Sequence, residues 1–117
     1  MAIPSGSGTE VLKRNQFAAV TNSEQKIIDG VANHIYTVLN VIFCEQGNAE
    51  ELIHLFIFPS ATSGSVVYLL GSQVLGAYQT FTWNDRIILS GTDELVAQTS
   101  SSANVDIIVN YIDQDWT

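Results

Sequence analysis

The chain has 117 residues, of which 46% are hydrophobic and 14% are charged, and its formal net charge is −8. This length supplies one hydrophobic core, so we expect a single domain. Four basic residues are too few to neutralise a run of phosphates, which excludes nucleic acid and disfavours an anionic membrane surface as partners. The low charge has two interpretations: part of the surface is hidden against a partner, or the surface is coated with Ser, Thr, Asn and Gln.

The N-terminal residues are predicted to form an arm that covers residues 1–14, with a β-sandwich domain over residues 15–117. The segment MAIPSGSGTE is rich in Gly and Ser, lacks a core pattern and leads to the basic pair Lys13–Arg14. Such a segment is flexible when free. It is either a plain terminus or a tether that becomes ordered on a neighbour.

After the arm, short runs rich in Val, Ile, Phe, Tyr and Thr are each predicted to be a β-strand. The predicted strands are 17–21, 25–31, 34–45, 51–58, 66–70, 77–83, 86–90, 94–99 and 104–112. Loops are predicted at 60–65, 71–76 and 100–103, and a turn at 91–93. This pattern predicts an all-β fold, an antiparallel β-sandwich that is jelly-roll-like, although periodicity does not give the strand order.

Two of the predicted strands carry further information. Segment 34–45, HIYTVLNVIFCE, is apolar on both faces, which is typical of a central strand that is covered on both sides or lies at a subunit contact. Segment 51–58 is ambiguous, because Asn48 and Glu51 resemble a helix cap. Its β-rich end and the following Pro59 favour a strand.

Candidates for catalysis or metal binding are few. The only cysteine, Cys44, lies in an apolar strand and is predicted to be a buried small apolar residue, and no disulfide can form within the chain. His34 and His54 lack the spacing of a metal site. The pairs Glu50–Glu51 and Asp93–Glu94 are interpreted as solvated strand-end charges. We therefore expect no enzymatic activity, no catalytic residue, no cofactor and no metal.

No signal peptide or membrane span is predicted. The first ten residues have no basic region and no apolar run, and no segment approaches about 20 apolar residues. Together with the single cysteine, this leads us to expect folding in a reducing cytosol.

Aromatic residues near strand ends are the main candidates for partner contacts. Asn84–Asp85 is interpreted as a turn with Trp83 and Arg86 packing beside it. The whole cluster Trp83–Arg86 is also interpreted as a contact patch, because Trp and Arg are frequent interface anchors. Trp116 either packs back on the fold or docks on a neighbour. The residues predicted to bind a partner are Ile3, Pro4, Val11, Leu12, Lys13, Arg14, Trp83, Arg86 and Trp116.

Four segments resemble small virion structural proteins of tailed bacteriophages, notably those of cyanobacterial and marine phages. The segments are IPSGSGTEVLKR, ANHIYTVLNVIFCE, YQTFTWNDRIILSGTDELVAQ and VDIIVNYIDQDW. The resemblance covers most of the chain but contains no catalytic motif. It implies a capsid cement (decoration) protein on the virion surface, made in the host cytoplasm. Such a protein binds the outer head surface, bridges major capsid subunits and stabilises the shell.

The implied partners are the major capsid protein and the chain itself, as a homodimer or homotrimer. On this hypothesis the arm orders against the capsid or a sister subunit, and the sandwich associates through an apolar sheet face. Deleting the first fourteen residues is then expected to abolish capsid binding while the domain stays folded.

Two alternatives remain. A tail, baseplate or fibre-attachment protein would have a similar fold and composition. A receptor- or glycan-binding module would stack aromatic residues on sugars, and the candidates for this are Tyr36, Tyr68, Tyr78 and Trp83. Core packing explains these residues more simply.

Overall fold

The computed structural model describes residues 9–20, 22–61, 65–100 and 104–116, which form nine β-strands and no α-helix. The strands are β1 (Thr9–Val20), β2 (Gln25–Asp29), β3 (His34–Glu45), β4 (Glu51–Phe58), β5 (Val67–Leu75), β6 (Thr80–Trp83), β7 (Ile87–Ser90), β8 (Glu94–Thr99) and β9 (Val105–Asp115). A single 3-10 turn, Pro59–Ala61, follows β4. Within the described ranges, no helix is long and apolar enough to cross a membrane.

The strands form two antiparallel sheets that pack face to face. Sheet A has the order β1-β9-β3-β6, with β7 also paired to β3, and sheet B has the order β2-β8-β4-β5. β6 pairs with residues 41–44 of β3, and β7 pairs with residues 35–38 of the same strand. β6 and β7 therefore act together as one interrupted edge strand. Counted in this way, eight strands in two four-stranded sheets make a jelly roll. The predicted fold class is confirmed.

The core lies between the inner faces of the sheets. β9 alternates between buried and half-buried residues, because successive side chains of a strand point to opposite faces. β3 shows the same alternation on either side of a register shift near Leu39. Fully buried core side chains include Ile27, Val38, Val41, Phe43, Ile53, Leu55, Leu89 and Leu95. Each such side chain contributes about 1.5–3 kcal/mol through the hydrophobic effect.

Segments 34–45, 51–58 and 94–99 are strands with the predicted bounds. In 51–58, Ile53 and Leu55 face the core, whereas Phe56 belongs to the opposite face. Side chains that alternate between two faces define a strand and exclude the helix for which Asn48 and Glu51 resemble a cap. The predicted turns at residues 84–86 and 91–93 also lie between strands, after β6 and after β7.

The first strand differs from its prediction. β1 begins at Thr9 rather than at Phe17, and residues 9–17 pair with β9 without a shift in register. Residues 9–14 of the predicted arm are therefore part of sheet A, while residues 1–8 lie outside the described part. Apolar periodicity did not reveal this segment, because an edge strand with mostly exposed side chains is held by its backbone ladder.

Two other strands extend further than predicted, whereas β2 ends at Asp29 and β6 begins only at Thr80, so these two are shorter than predicted. β5 runs through the predicted loop at 71–76, because Ser72 adopts φ 58° and the β4 ladder shifts register near Leu55, so the strand bends without ending. β9 continues beyond Ile112 to Asp115, where its residues still pair with both β1 and β3. Polar side chains ended the predicted strand too early in both places.

Candidate interaction surfaces

A cleft of about 340 Å³ opens at one end of the sandwich, between sheet A and β2 of sheet B. It is lined by Lys13, Asn15, Lys26, Ile27, Ile28, Asp29, Val31, His34, Tyr36, Tyr111 and Asp113. This lining concentrates ionisable and aromatic groups in one place, which makes the cleft a candidate site for chemistry.

Asp113 lies at the centre of the cleft network and is buried. Its Oδ2 accepts from Lys13 Nζ at 2.9 Å, and its Oδ1 lies 2.7 Å from His34 Nδ1. His34 Nε2 lies 3.5 Å from Asp115 Oδ1. The carboxylate of a central strand thus joins the edge strand β1 to the start of β3.

The pKa shifts in the cleft follow from this arrangement. Burial opposes the ionisation of Asp113, but the hydrogen bonds from Lys13 and His34 outweigh it, so the pKa of Asp113 lies below its usual value. The hydrogen bond to Asp113 raises the pKa of Lys13. Burial raises the pKa of the Tyr36 hydroxyl.

Neighbouring polar groups tie the two sheets together. Asn15 Nδ2 donates to the carbonyl of Ile27 at 2.9 Å, and the Tyr111 hydroxyl donates to Asn15 Oδ1 at 3.2 Å. The hydroxyl of Tyr36 accepts from the backbone N–H of Val31 at 3.0 Å. These groups already have protein partners, so the cleft acts as an internal brace that fixes β1.

The outward side of sheet A, here called the outer A face, is a broad and mainly uncharged surface. Its members are Glu10, Leu12, Arg14, Gln16, Ile35, Thr37, Asn40, Ile42, Cys44, Thr80, Thr82, Ile88, Ser90, Asp106, Ile108, Asn110, Ile112 and Gln114, assigned from register and alternation. One row crosses the whole sheet as Leu12, Ile112, Thr37 and Ile88. The ends of this row, Leu12 and Ile88, are 72% and 56% exposed.

The outward side of sheet B, here called the outer B face, carries an aromatic cluster. The ring of Phe56 lies 5.1 Å from that of Tyr68 and 5.4 Å from that of Phe58, centroid to centroid, and Tyr68 also meets His54 at 6.3 Å. These neighbours leave Phe56 only 1% exposed. The outer B face therefore covers its largest apolar side chain within the chain itself.

The structure separates the predicted partner-binding residues into groups. Ile3 and Pro4 lie outside the described residues. Val11, Leu12, Lys13 and Arg14 belong to β1 at one edge of sheet A, with Leu12 and Arg14 on the outer A face. Trp83 and Arg86 lie at the opposite edge, so sheet A does not bring the two groups together within one chain.

The tryptophans are parts of the fold. Trp83 is half-buried, pairs with Val41 and packs against the core, while Arg86 is exposed and its Nη1 lies 3.5 Å from the carbonyl of Asn84. The backbone N–H of Trp116 donates to Asn33 at 3.0 Å. Both indole Nε1 atoms are buried and lack a hydrogen-bond partner among the described residues. For Trp116, this geometry favours packing back on the fold.

The other candidate residues are dispersed. Cys44 is half-buried on the outer A face instead of being buried in the core as predicted, and Gln46 Nε2 lies 3.4 Å from its Sγ. His54 accepts from the backbone N–H of Ser72 at 3.1 Å on the outer B face. In the described ranges, no three His, Cys, Asp or Glu residues are grouped so that they could hold a metal ion.

The aromatic residues considered for sugar stacking do not share one surface. Tyr36 is buried in the core, Trp83 packs against the core, and Tyr68 belongs to the outer B face. Tyr78 is 70% exposed before β6. Sequence reasoning noticed the two-sided apolar pattern of β3 but not the row across sheet A, because that row exists only once the strand order is known.

The chain matches no protein-family model and no curated protein. Among solved structures, it is similar to the subunit of the disulfide-linked pili of Bacillus endospore appendages, with a TM-score of 0.58 and 11% identity over 100% of this chain and 97% of that one. It is also similar to a chain of the acid-stable capsid of Helicobacter pylori bacteriophage KHP30, with a TM-score of 0.51 and 10% identity over 98% and 92% of the two chains. These likenesses show a common fold.

Proposed function

We propose that the chain is a structural protein of a phage virion that decorates the outer surface of the head and bridges neighbouring major capsid subunits. The observation that carries the proposal is a compact jelly roll whose outer A face is uncovered and mainly uncharged, which suits a subunit of an assembly. The sequence resemblance to phage virion proteins and the fold shared with a phage capsid chain of nearly equal length support the capsid as its setting.

The proposal includes no catalysis. The ionisable side chains of the cleft are used in contacts between strands, with Lys13 and His34 both on Asp113. A general acid must reach the substrate atom that receives its proton, and a general base must reach the proton that it removes. The cleft groups are instead in contact with each other. We therefore propose a role in binding and assembly.

Assembly on a lattice allows each contact to be weak. A protein that bridges two capsid subunits gains from the high effective concentration of the second contact once the first has formed. Residues 1–8 would add contact area in the same way, at the cost of the conformational entropy lost when they order.

The direct test is binding to empty expanded heads of the phage that encodes the chain. We expect purified protein to co-sediment with the heads and to saturate at a fixed number of copies per capsid. Gold-labelled antibody on intact virions should mark the head. Label confined to the tail would support the tail or baseplate alternative, and an unlabelled virion would refute a virion role.

The arm is tested by a narrower deletion than the sequence suggested. Removing residues 1–14 would remove half of β1 and the Lys13–Asp113 ion pair, so the domain itself would be damaged. Removing residues 2–8 leaves β1 intact. We expect this deletion to leave Tm unchanged and to weaken head binding at least tenfold. A variant with residues 2–8 in scrambled order serves as the control. Unchanged binding by the deletion variant would remove the arm from the proposal.

A pilus subunit is the second candidate, because the similarity to the endospore pilus subunit covers nearly all of both chains. That pilus is disulfide-linked. In this sequence Cys44 is the only cysteine, so each copy can join only one disulfide. One link per copy gives pairs and not a covalent filament, which favours the capsid role.

A further inference from the structure

We propose that the outer A face is covered by the outer A face of a second copy, in a two-fold symmetric, back-to-back pair. The pairing rests on the proposed assembly role for its biological setting, and it assigns the outer A face to the contact between copies, so the capsid would be contacted by other surfaces of the pair. The pairing itself is measured without any capsid, so the two proposals fail separately.

The outer A face leaves apolar side chains open at both of its edges. Leu12 is 72% exposed and Ile88 is 56% exposed, at the two ends of one row. On the other sheet, Tyr68 and Val74 are 57% and 50% exposed, but Tyr68 covers Phe56, which is only 1% exposed. Within the described residues, the outer A face has no corresponding cover from its own chain.

The register of the outer A face is self-complementary. A two-fold axis parallel to the strands reverses the strand order, so β1 of one copy lies over β6 and β7 of the other while each row stays opposite itself. Leu12 of one copy then meets Ile88 of the other. Two rows further along, Ile108 meets Ile42 at the centre and Gln16 meets Thr82 at the edges.

The polar rows also match under this operation. Asn110 Nδ2 donates to Asn40 Oδ1 at 2.7 Å in the middle of the face, so this central pair is already satisfied within each copy. Arg14, in the same row, would lie over the break between β6 and β7, where Asp85 and Arg86 are both exposed. Sheets packed in this way keep their strands within about 30° of each other.

The low charge of the outer A face also favours contact between two copies. The chain carries a net charge of −8, so two copies repel each other over most of their surfaces. The outer A face contributes only two acids, Glu10 and Asp106, and one base, Arg14. Two copies therefore meet with little repulsion when these faces come together.

The area of the outer A face suits a dimer. Four strands spaced about 4.8 Å apart and about 34 Å of β9 give a flat footprint of roughly 650 Å² per copy. Specific interfaces bury about 600–1,000 Å² per partner, so this footprint lies within that range.

The test is the mass in solution of the full chain and of matched variants, measured by sedimentation equilibrium. We expect the wild type to have twice the monomer mass of 12.8 kDa. Ile88→Lys places two ammonium groups in the apolar rows and should weaken dimerisation at least 100-fold. Val74→Lys is the control. The exposed fraction of Val74, 50%, is similar to the 56% of Ile88, but Val74 lies on sheet B.

Circular dichroism and thermal melting establish that each variant is folded, and Leu12→Lys replaces Ile88→Lys if the latter fails to fold. A wild-type monomer at 100 μM (about 1 mg/ml), or a dimer that tolerates both lysines, overturns the pairing. A dimer broken only by Val74→Lys also overturns it and moves the contact to sheet B. A monomer that binds heads through the outer A face overturns the pair but keeps the proposed function.

Discussion

The outer faces of the two sheets differ in how their apolar side chains are arranged. On the outer B face, Phe56 is 1% exposed because Tyr68 and Phe58 cover it, while Tyr68 and Val74 are themselves 57% and 50% exposed. On the outer A face, Leu12 and Ile88 are 72% and 56% exposed at the two ends of a row that crosses the sheet. The outer B face therefore buries the middle of its aromatic cluster under its own side chains, whereas the outer A face carries its most exposed apolar side chains at both edges.

The arrangement of the apolar side chains indicates on which outward face assembly contacts are expected. Exposed apolar residues are common and alone signify little. They become informative when they form a continuous row across several strands, because a contiguous apolar patch marks an interaction site. The outer A face meets that condition, whereas the outer B face uses its aromatic residues for stability.

The largest expected effect comes from the outer B face. Phe56→Ala should lower the free energy of unfolding by about 3–5 kcal/mol, since a buried ring leaves a cavity. Ile88→Ala, measured at a concentration where the chain is monomeric, should change it by about 0.5 kcal/mol or less. Urea unfolding measures both. Equal losses in the two variants would break the contrast between the faces.

A smaller loss is expected where the cleft fixes the edge of the outer A face. Asp113→Asn removes the charge that Lys13 and His34 share and should cost about 1–3 kcal/mol. Hydrogen exchange should accelerate in residues 9–15 more than in β4. Glu50→Gln is the control, because it makes the same carboxylate-to-amide change at an exposed position before β4, outside sheet A. Uniform acceleration throughout the chain would contradict a brace specific to β1.

The contact between the rings of Phe56 and Tyr68 can be tested by truncating Tyr68. Tyr68→Ala should cost about 1 kcal/mol, because an aromatic pair contributes roughly 0.5–1.5 kcal/mol. Tyr78→Ala is the control, since Tyr78 is 70% exposed whereas Tyr68 is 57% exposed. Thermal unfolding of both variants decides this. A Tyr78 variant that is as unstable as the Tyr68 variant would show that the ring contact has no special role.

The smallest expected effect is a pH dependence of Tm. The pKa of Asp113 is lowered in the fold, so its contribution is present above about pH 4 and is lost as the pH falls through the lowered pKa. The pKa of Lys13 is raised, so its contribution is present below 10.5 and is lost as the pH rises through the raised pKa. Asp113→Asn should flatten both ends of the curve. Parallel curves for variant and wild type would contradict this origin.

Much of the fold was predictable because local chemistry determines it. The bounds of β3, β4 and β8 follow from apolar runs with turn residues beside them. Residues 9–16 of β1 were missed because residues such as Lys13, Arg14 and Asn15 carry no alternation. Their places are set by a ladder to β9, whose residues are nearly a hundred positions away in the chain.

The candidate surfaces were predictable only in part. A two-sided apolar strand indicated that β3 is covered or lies at a subunit contact, but no local signal joins Leu12 to Ile88. Their shared row depends on two intervening strands and on the register of each pair. The Lys13–Asp113–His34 network is likewise absent from any sequence motif, because three separate strands supply its members.

The pairing of Thr9 with Asp115 has a practical consequence. The first residue of β1 and the last residue of β9 leave the sandwich at the same pole, so proteins fused to the two ends would emerge side by side. A donor and acceptor fluorophore attached there should transfer energy efficiently in the folded chain and lose that transfer when β1 detaches. The geometry thus supplies a built-in reporter for edge-strand opening, and it makes a circularly permuted chain, opened at residues 84–86, a realistic engineering target.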